Sequence, residues 1–314
     1  MAADDIDPFS IDAALQASES AVVNKALRPV PIPKITGMVL GGDIQLGDLV
    51  FNTIDENNVI WVITDIEGWW NHPEPEMEDI KRGFGDGSYD VRGRWTARQL
   101  TLQGVFLPPD RSYVAAAREK LIKAVDLVYA NAYLRVSEDP VKVSKVRLSG
   151  APNIKTVNNR GRTEFSIGLR AADPIKYSWN EADPDGASYE EVFARNTSLS
   201  RTGEIIVENV GAAYVNALFE ITGPLVGPTV VFNETTDELM VISEPLESTD
   251  ILEIDTFGHE VAKNGDITGG RAMLDVLADW IRLKPGPNVI KFYDEGAVNS
   301  TAKLGVYYRS GWLG

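Results

Sequence analysis

Gln99-Leu-Thr-Leu-Gln-Gly-Val-Phe106 alternates in character through Gln103 and keeps the phase to Phe106. Leu100, Leu102, Gly104 and Phe106 fall in one phase, against Gln99, Thr101, Gln103 and Val105 in the other. A period of two with one apolar face predicts a half-buried antiparallel strand. The same alternation recurs at Phe165, Ile167, Leu169 and Ala171, and again at Leu304, Val306 and Tyr308. Between Val141 and Leu148 the phase slips: Val141 and Val143 point one way, Val146 and Leu148 the other. A bulge near Ser144 and Lys145 is the expected remedy.

Outward from these strands, one segment is helical. Val114, Ala117, Leu121, Val125 and Val128 recur at spacings of three and four between Asp110 and Ala130, with Lys120, Lys123 and Asp126 on the other side. Pro108 and Pro109 block extension upstream, and Asp110 or Ser112 can cap the first free N–H groups. Ile11 to Leu27 is a weaker, Ala-rich helical segment. Asp173-Pro174, Asp183-Pro-Asp-Gly186 and Asn196 to Ser200 form a polar, turn-prone bridge. Beyond it, short strands are expected at 205–210, 215–222, 229–233, 239–243, 251–256, 273–281, 288–293 and 303–308. Gly223-Pro224, Gly227-Pro228, Asn264-Gly265 and Lys284-Pro-Gly-Pro287 punctuate them. That is the pattern of a sandwich. The expected fold is therefore mainly β: an N-terminal β-rich domain with one long helix over 1–180, a linker at 181–200, and an antiparallel β-sandwich over 201–314. Within the first domain, an arm of residues 1–30 has no place in the pattern.

Composition narrows the function. The 314 residues carry 30 Lys plus Arg against 46 Asp plus Glu, a formal net charge of −16. That argues against a protein whose affinity is for nucleic-acid phosphates or for an anionic membrane surface. With no Cys and only two His, His72 and His259, thiolate chemistry and multi-His zinc sites are not expected. The N-terminus is acidic where a secretory n-region is basic, so the expectation is a protein without a targeting segment. No apolar run approaches the ~18–20 residues that cross a bilayer, and no membrane insertion is expected.

Several constellations resemble sites and fall short. Gly83-Phe-Gly-Asp-Gly-Ser88 lacks the third glycine of a dinucleotide loop and leads into strands, so a loop or hairpin turn at Asp86-Gly87 is the better reading. Setting Gly186 at the sixth position of a calcium loop leaves Val192 where a bidentate Glu is needed, and a solvated linker is preferred. Glu74, Glu76, Glu78 and Asp79 stand near Trp69, Trp70 and His72, as paired carboxylates do in a glycosidase cleft. Pro73 and Pro75 make this an extended acidic loop instead, and the Trp pair suits a core or a subunit contact better than sugar stacking. Asp255 and His259 lie close together without a serine in an elbow turn. No catalytic set, cofactor or metal is expected.

The order of motifs along both halves resembles the distal tail proteins of long-tailed bacteriophages, the siphophages. Gly85 to Phe106, with its Arg-rich Tyr89-Asp-Val-Arg-Gly-Arg-Trp95 and a strand ending Gly-Val-Phe106, is similar to that family's first domain. Phe165 to Pro174, followed by Tyr177, resembles its closing strand. Ile206 to Gly211, Leu252 to Thr256, Lys263-Asn-Gly265, Trp280 to Phe292 and Val306 to Trp312 are similar to its C-terminal domain.

The resemblance implies a non-enzymatic virion protein at the tail tip, assembled in the host cytoplasm. Its N-terminal domain would build a six-fold ring and its galectin-like sandwich would project outward. The implied partners are copies of itself, the tail tube protein, the tape measure protein and the hub or fibre proteins. Candidate subunit-interface residues are Trp69, Trp70, Phe84, Arg92, Arg94, Trp95 and Arg98. In a regular strand the three arginines share a parity and would pair with acidic residues of a neighbour. Six chains at −16 each give −96, which favours DNA passing through the ring without sticking. The alternatives are a carbohydrate-binding module for a cell-wall glycan, or a glycoside hydrolase using Glu74, Glu76 or Glu78.

Overall fold

The computed structural model describes residues 38–127, 130–159, 161–179, 192–195, 203–294 and 301–314. The arm 1–30 with its helical segment, most of the linker 181–200 and Val128 lie outside the described residues. The chain divides into two compact units. Of the described residues, one unit comprises those from 38 to 179, Val210–Ala213 and Ser310–Gly314; the other comprises 192–195, 203–209 and those from Tyr214 to Arg309. Residues 310–314, assigned by sequence to the second domain, thus belong with the first.

The first unit runs β1 (Met38–Leu46), β2 (Leu49–Ile54), β3 (Ile60–Glu67), β4 (Pro75–Glu76), β5 (Ile80–Lys81), β6 (Ser88–Tyr89), β7 (Arg94–Trp95) and β8 (Arg98–Leu107). Helix α1 (Val114–Val125) follows, then β9 (Ala132–Val136), β10 (Lys142–Leu148), β11 (Asn153–Thr156), β12 (Thr163–Ala171) and β13 (Lys176–Ser178). Hydrogen bonding orders the main sheet β11-β12-β8-β3-β2-β1-β9-β10-β13-β24, where β24 is Gly311–Trp312, and a further β10–β12 pairing closes the sheet on itself. Closure hides edges that would otherwise template aggregation. The alternation at Gln99–Phe106 is realised: Leu100, Leu102 and Phe106 are buried beside Phe165, Ile167 and Leu169 of β12, in antiparallel register.

Phe51, Trp61, Phe106 and Phe165 form an aromatic cluster in this core, with ring centroids 5.0–6.3 Å apart. Helix α1 adds Ala117, Leu121 and Val125 to it. Asp110 accepts from the Ser112 N–H at 2.8 Å, capping the turn that leads into the helix.

The bulge expected near Ser144 and Lys145 is not there. Lys142 to Val146 pair with β9 without a break, and Val143 is buried on the face opposite Val146. The slipped phase records a strand covered on both faces only at its start, since Lys145 and Arg147, on Val143's face, are exposed; the register shifts lie instead in β1, between Val39 and Ile44, and in β3, between Ile63 and Asp65.

The loop from β2 to β3 ties the helix to the sheet through one carboxylate. Asp55 accepts from the N–H groups of Asn57 and Val59, from Trp61 Nε1 at 3.0 Å and from Lys120 Nζ at 3.0 Å. Burial pushes its pKa up, but those bonds outweigh burial and hold the carboxyl below its ordinary value of 3.8. A depressed folded-state value gives stability that is present above pH 3.8 and is lost as pH falls through the folded value. Asp55→Asn should therefore lower stability at pH 7 and flatten its fall between about pH 5 and 2, read from urea midpoints across that range. An unchanged acid profile in the variant would exclude Asp55 as its source.

The second unit holds two antiparallel sheets. In chain order its strands are β14 (Val192–Arg195), β15 (Gly203–Asn209), β16 (Val215–Thr222), β17 (Thr229–Asn233), β18 (Glu238–Ile242), β19 (Ile251–Asp255), β20 (Glu260–Lys263), β21 (Arg282–Leu283), β22 (Gly286–Asp294) and β23 (Lys303–Tyr308). One sheet is ordered β14-β23-β16-β19-β20, with β21 on β16; the other is β15-β22-β17-β18. Alternate residues of β15 and β16 are buried, which makes the pair of sheets a sandwich with an apolar interior of Val207, Phe219, Ile221, Val231, Phe292 and Leu304.

Asn264 and Gly265 both take positive φ, 54° and 81°, in the tight turn after β20, as the Asn-Gly pair suggests. The strand expected at 273–281 is absent. A 3₁₀ turn at Gly270–Met273 leads into a loop in which Asp275 accepts from the Leu277 N–H and leaves Val276 and Leu277 exposed. The Asp side chain competes for the backbone donors that a strand would use.

Candidate assembly surface

Between β3 and β8 the chain leaves the closed sheet as an arm. β4 pairs with β7 and β5 with β6, two short ladders separate from the main sheet. Prolines at 73 and 75 keep the outgoing limb extended. Gly85 and Gly87 take φ of 91° and 90°, and the Arg82 N–H reaches the Gly87 carbonyl, closing the hairpin turn read at Asp86-Gly87. The arm shows solvent a run of large apolar side chains: Trp70, Met77, Ile80, Tyr89, Trp95 and, at its tip, Phe84 at 98% exposure. Scattered apolar residues on a surface are ordinary; this many on one short arm make it the candidate contact surface.

The seven interface candidates separate into two groups. Trp70, Phe84, Arg92, Arg94 and Trp95 are at the surface of the arm or its base. Trp69 and Arg98 are interior, at 0% and 2% exposure. Nor do the three arginines share a strand face. β7 covers only Arg94 and Trp95, and the chain breaks at Thr96 before β8 begins at Arg98, so parity does not carry across. Arg94 donates from Nε to Glu76 at 2.6 Å within the same arm. That bond holds the Glu76 carboxyl below its ordinary value, which is the reverse of what a general acid needs.

Arg98 anchors the base of the arm. Its Nε donates to the Pro174 carbonyl at 3.0 Å, Nη1 donates to those of Gly68 at 2.9 Å and Asn71 at 2.6 Å, and Nη2 reaches the Leu313 carbonyl. One guanidinium thereby fixes the strand into the arm, the segment before β13 and the chain's last residues. Burial lowers its affinity for a proton, partly offset by the Asp173 carboxylate.

Beside it, Lys176 is fully buried, donates to the Trp69 carbonyl at 2.8 Å and lies 4.8 Å from that ring. Burial, with Lys142 and Arg98 nearby and Glu138 opposing, brings its ammonium down to about 8. Glu138 accepts from Trp69 Nε1 and from Lys142 Nζ at 2.6 Å. The sequence reading missed Lys176, Glu138 and Lys142, which carry no motif.

In the second unit, His259 sits at φ 56° in the β19–β20 turn and stacks on Trp280 at 4.5 Å, while Asp255 accepts from the Phe257 N–H. Both side chains serve the turn. Among the described residues, no group of His, Asp and Glu is placed to hold a metal ion, and no helix is long and apolar enough to cross a membrane.

Residues 211–312 match the model of the siphovirus-type tail component, C-terminal domain. Among solved structures, the fold is similar to SPP1 Dit (gp 19.1), described as a paradigm of the hub adsorption apparatus in phages infecting Gram-positive bacteria. The TM-score is 0.58 at 15% identity, covering 85% of this chain and 98% of that one. The phage P2 baseplate in its activated conformation with Ca is a weaker likeness, at TM-score 0.40 and 9% identity over 84% of this chain and 96% of that one. No curated protein matches the chain. By a C-terminal third that matches a siphovirus-type tail component and by a fold shared over most of its length, the chain is recognised as resembling the distal tail proteins of siphophages.

Proposed function

We propose that this chain is a structural protein of the phage tail tip that forms a ring, six copies around an axis, between the tail tube and the central hub or fibre proteins. The observation that carries the reading is the tail-component match over 211–312, joined to a first unit whose arm exposes an apolar run with no cover in the single chain. Trp70, Phe84, Arg92, Arg94 and Trp95 are the proposed subunit contacts. The ring leaves a passage for the tape measure protein and then for DNA. At −16 per chain the passage has few cations to release from DNA, so the duplex slides without being held. Assembly takes place in the host cytoplasm and the product resides in the virion.

Native mass measurement of the purified protein should give a hexamer, and electron microscopy a ring with an axial hole. The assembled ring should leave duplex DNA unshifted in a low-salt electrophoretic titration. A monomer at all concentrations would sink the ring. A gel shift at micromolar protein would sink the passive passage while leaving the ring intact. A glycan-binding role for the sandwich would instead give a monomer whose thermal stability rises with added cell-wall saccharide.

A further inference from the structure

The arm has a receiving surface on the same unit. Phe84 is 98% exposed, and the places a Cβ would take at Gly83, Gly85 and Gly87 meet no described atom within 4 Å, so the tip stands open to solvent among the described residues. Asp86 gives that tip a negative charge beside the ring. On the sheet, a groove of about 330 Å³ lies across β8, β12 and β11, lined by Gly104, Val105, Lys155, Arg162 and Glu164 among others. Gly104 forms part of its wall because no side chain fits there: a Cβ would stand 2.5 Å from the Val62 carbonyl oxygen and 2.4 Å from the Phe165 ring. Arg162 is paired with Glu164 at 3.1 Å, whereas Lys155, which stands opposite Glu164 in the β11–β12 register, is exposed and makes no ion pair of its own among the described residues. β11 is also the end of the sheet order, pairing only with β12.

We propose that the arm tip of one copy seats in this groove on the next, with Phe84 over Gly104 and Val105 and Asp86 against Lys155. The occupant is a second copy because the projecting ring, the carboxylate beside it, the groove and the groove's exposed lysine are all on this chain. Tip and groove are different surfaces, so the contact is head-to-tail and repeats around a ring until the rotation closes. It also covers the open edge of β11, which an exposed strand otherwise offers to any chain. The inference rests on the ring reading and names the surface that closes it.

Because the chain has no cysteine, a designed pair reports without background. Full-length Asp86→Cys/Lys155→Cys protein, oxidised with copper phenanthroline, should give a ladder of covalent multimers rising to the ring mass on a non-reducing gel. Each single variant should stop at dimer or below. In parallel, Phe84→Ala should raise the concentration at which the ring dissociates by at least about tenfold. A double variant that still forms rings by native mass yet yields no ladder overturns the tip-in-groove contact and leaves the ring reading standing. Rings of Phe84→Ala that dissociate at the wild-type concentration overturn it equally. A chain that never assembles takes both readings down together.

Discussion

Arg98→Met should destabilise the first unit by about 3–5 kcal/mol, because carbonyls left without a donor each cost about 1–3 kcal/mol where water cannot reach them. The carbonyls in question are those of Gly68, Asn71, Pro174 and Leu313, which come from segments far apart in sequence. Methionine keeps much of the packing volume and removes only the donors. For a unit of this size the melting temperature should fall by roughly 6–20 °C, read by calorimetry. Arg94→Met is the contrast: its partner Glu76 is half exposed, and solvent screens such a pair, so the variant should melt close to wild type. A shift of equal size in both variants would show that the buried guanidinium carries no special share of the fold.

The second large effect belongs to the other unit. At Gly270 a Cβ would stand 1.9 Å from the Val261 carbonyl oxygen and 2.7 Å from its carbon, both backbone atoms that no side-chain rotation can move aside. Gly270→Ala should therefore cost about 1–3 kcal/mol or more, as overpacking does, while Gly83→Ala, which meets nothing, should be silent. Arg98→Met and Gly270→Ala also test the division of the chain. Each should lower a different calorimetric transition, since their contacts lie within different units. If either variant moves a single shared transition, the units unfold as one and the division is structural only.

What the sequence disclosed depended on how local the cause was. The strands at Gln99–Phe106, 163–171 and 303–308 were legible because their alternation is a property of the strand alone. So was α1, whose apolar positions and capping Asp110 are neighbours in sequence. Met273–Ile281 misled because its apolar content was read without the Asp at 275 that turns the backbone.

Arg98 is the instructive case at the assembly surface. Its parity matched Arg92 and Arg94, which suggested a shared face, but it also matched Leu100, Leu102 and Phe106, the buried phase of its own strand. Continuity with that strand, which starts at Arg98, decides between the two. The partners that make its burial tolerable lie at Pro174 and Leu313, too far along the chain for any local pattern to announce. Lys176 and Glu138 were illegible for the same reason: each bonds to Trp69, which is far from both in sequence.

The return of β24 to β13 has a bearing on synthesis. Gly311 and Trp312 pair with Tyr177 and Lys176, and the N–H groups of Ala212 and Ala213 find their acceptor at Gly311. The first unit is therefore unfinished when its own strands have left the ribosome. At about 5–20 residues per second, the remaining stretch to residue 310 takes roughly 7–26 s. Throughout that interval the Arg98 guanidinium lacks its Leu313 acceptor, and the base of the arm lacks its last strand. The base of the arm is therefore completed only by segments made after the strands of the second unit.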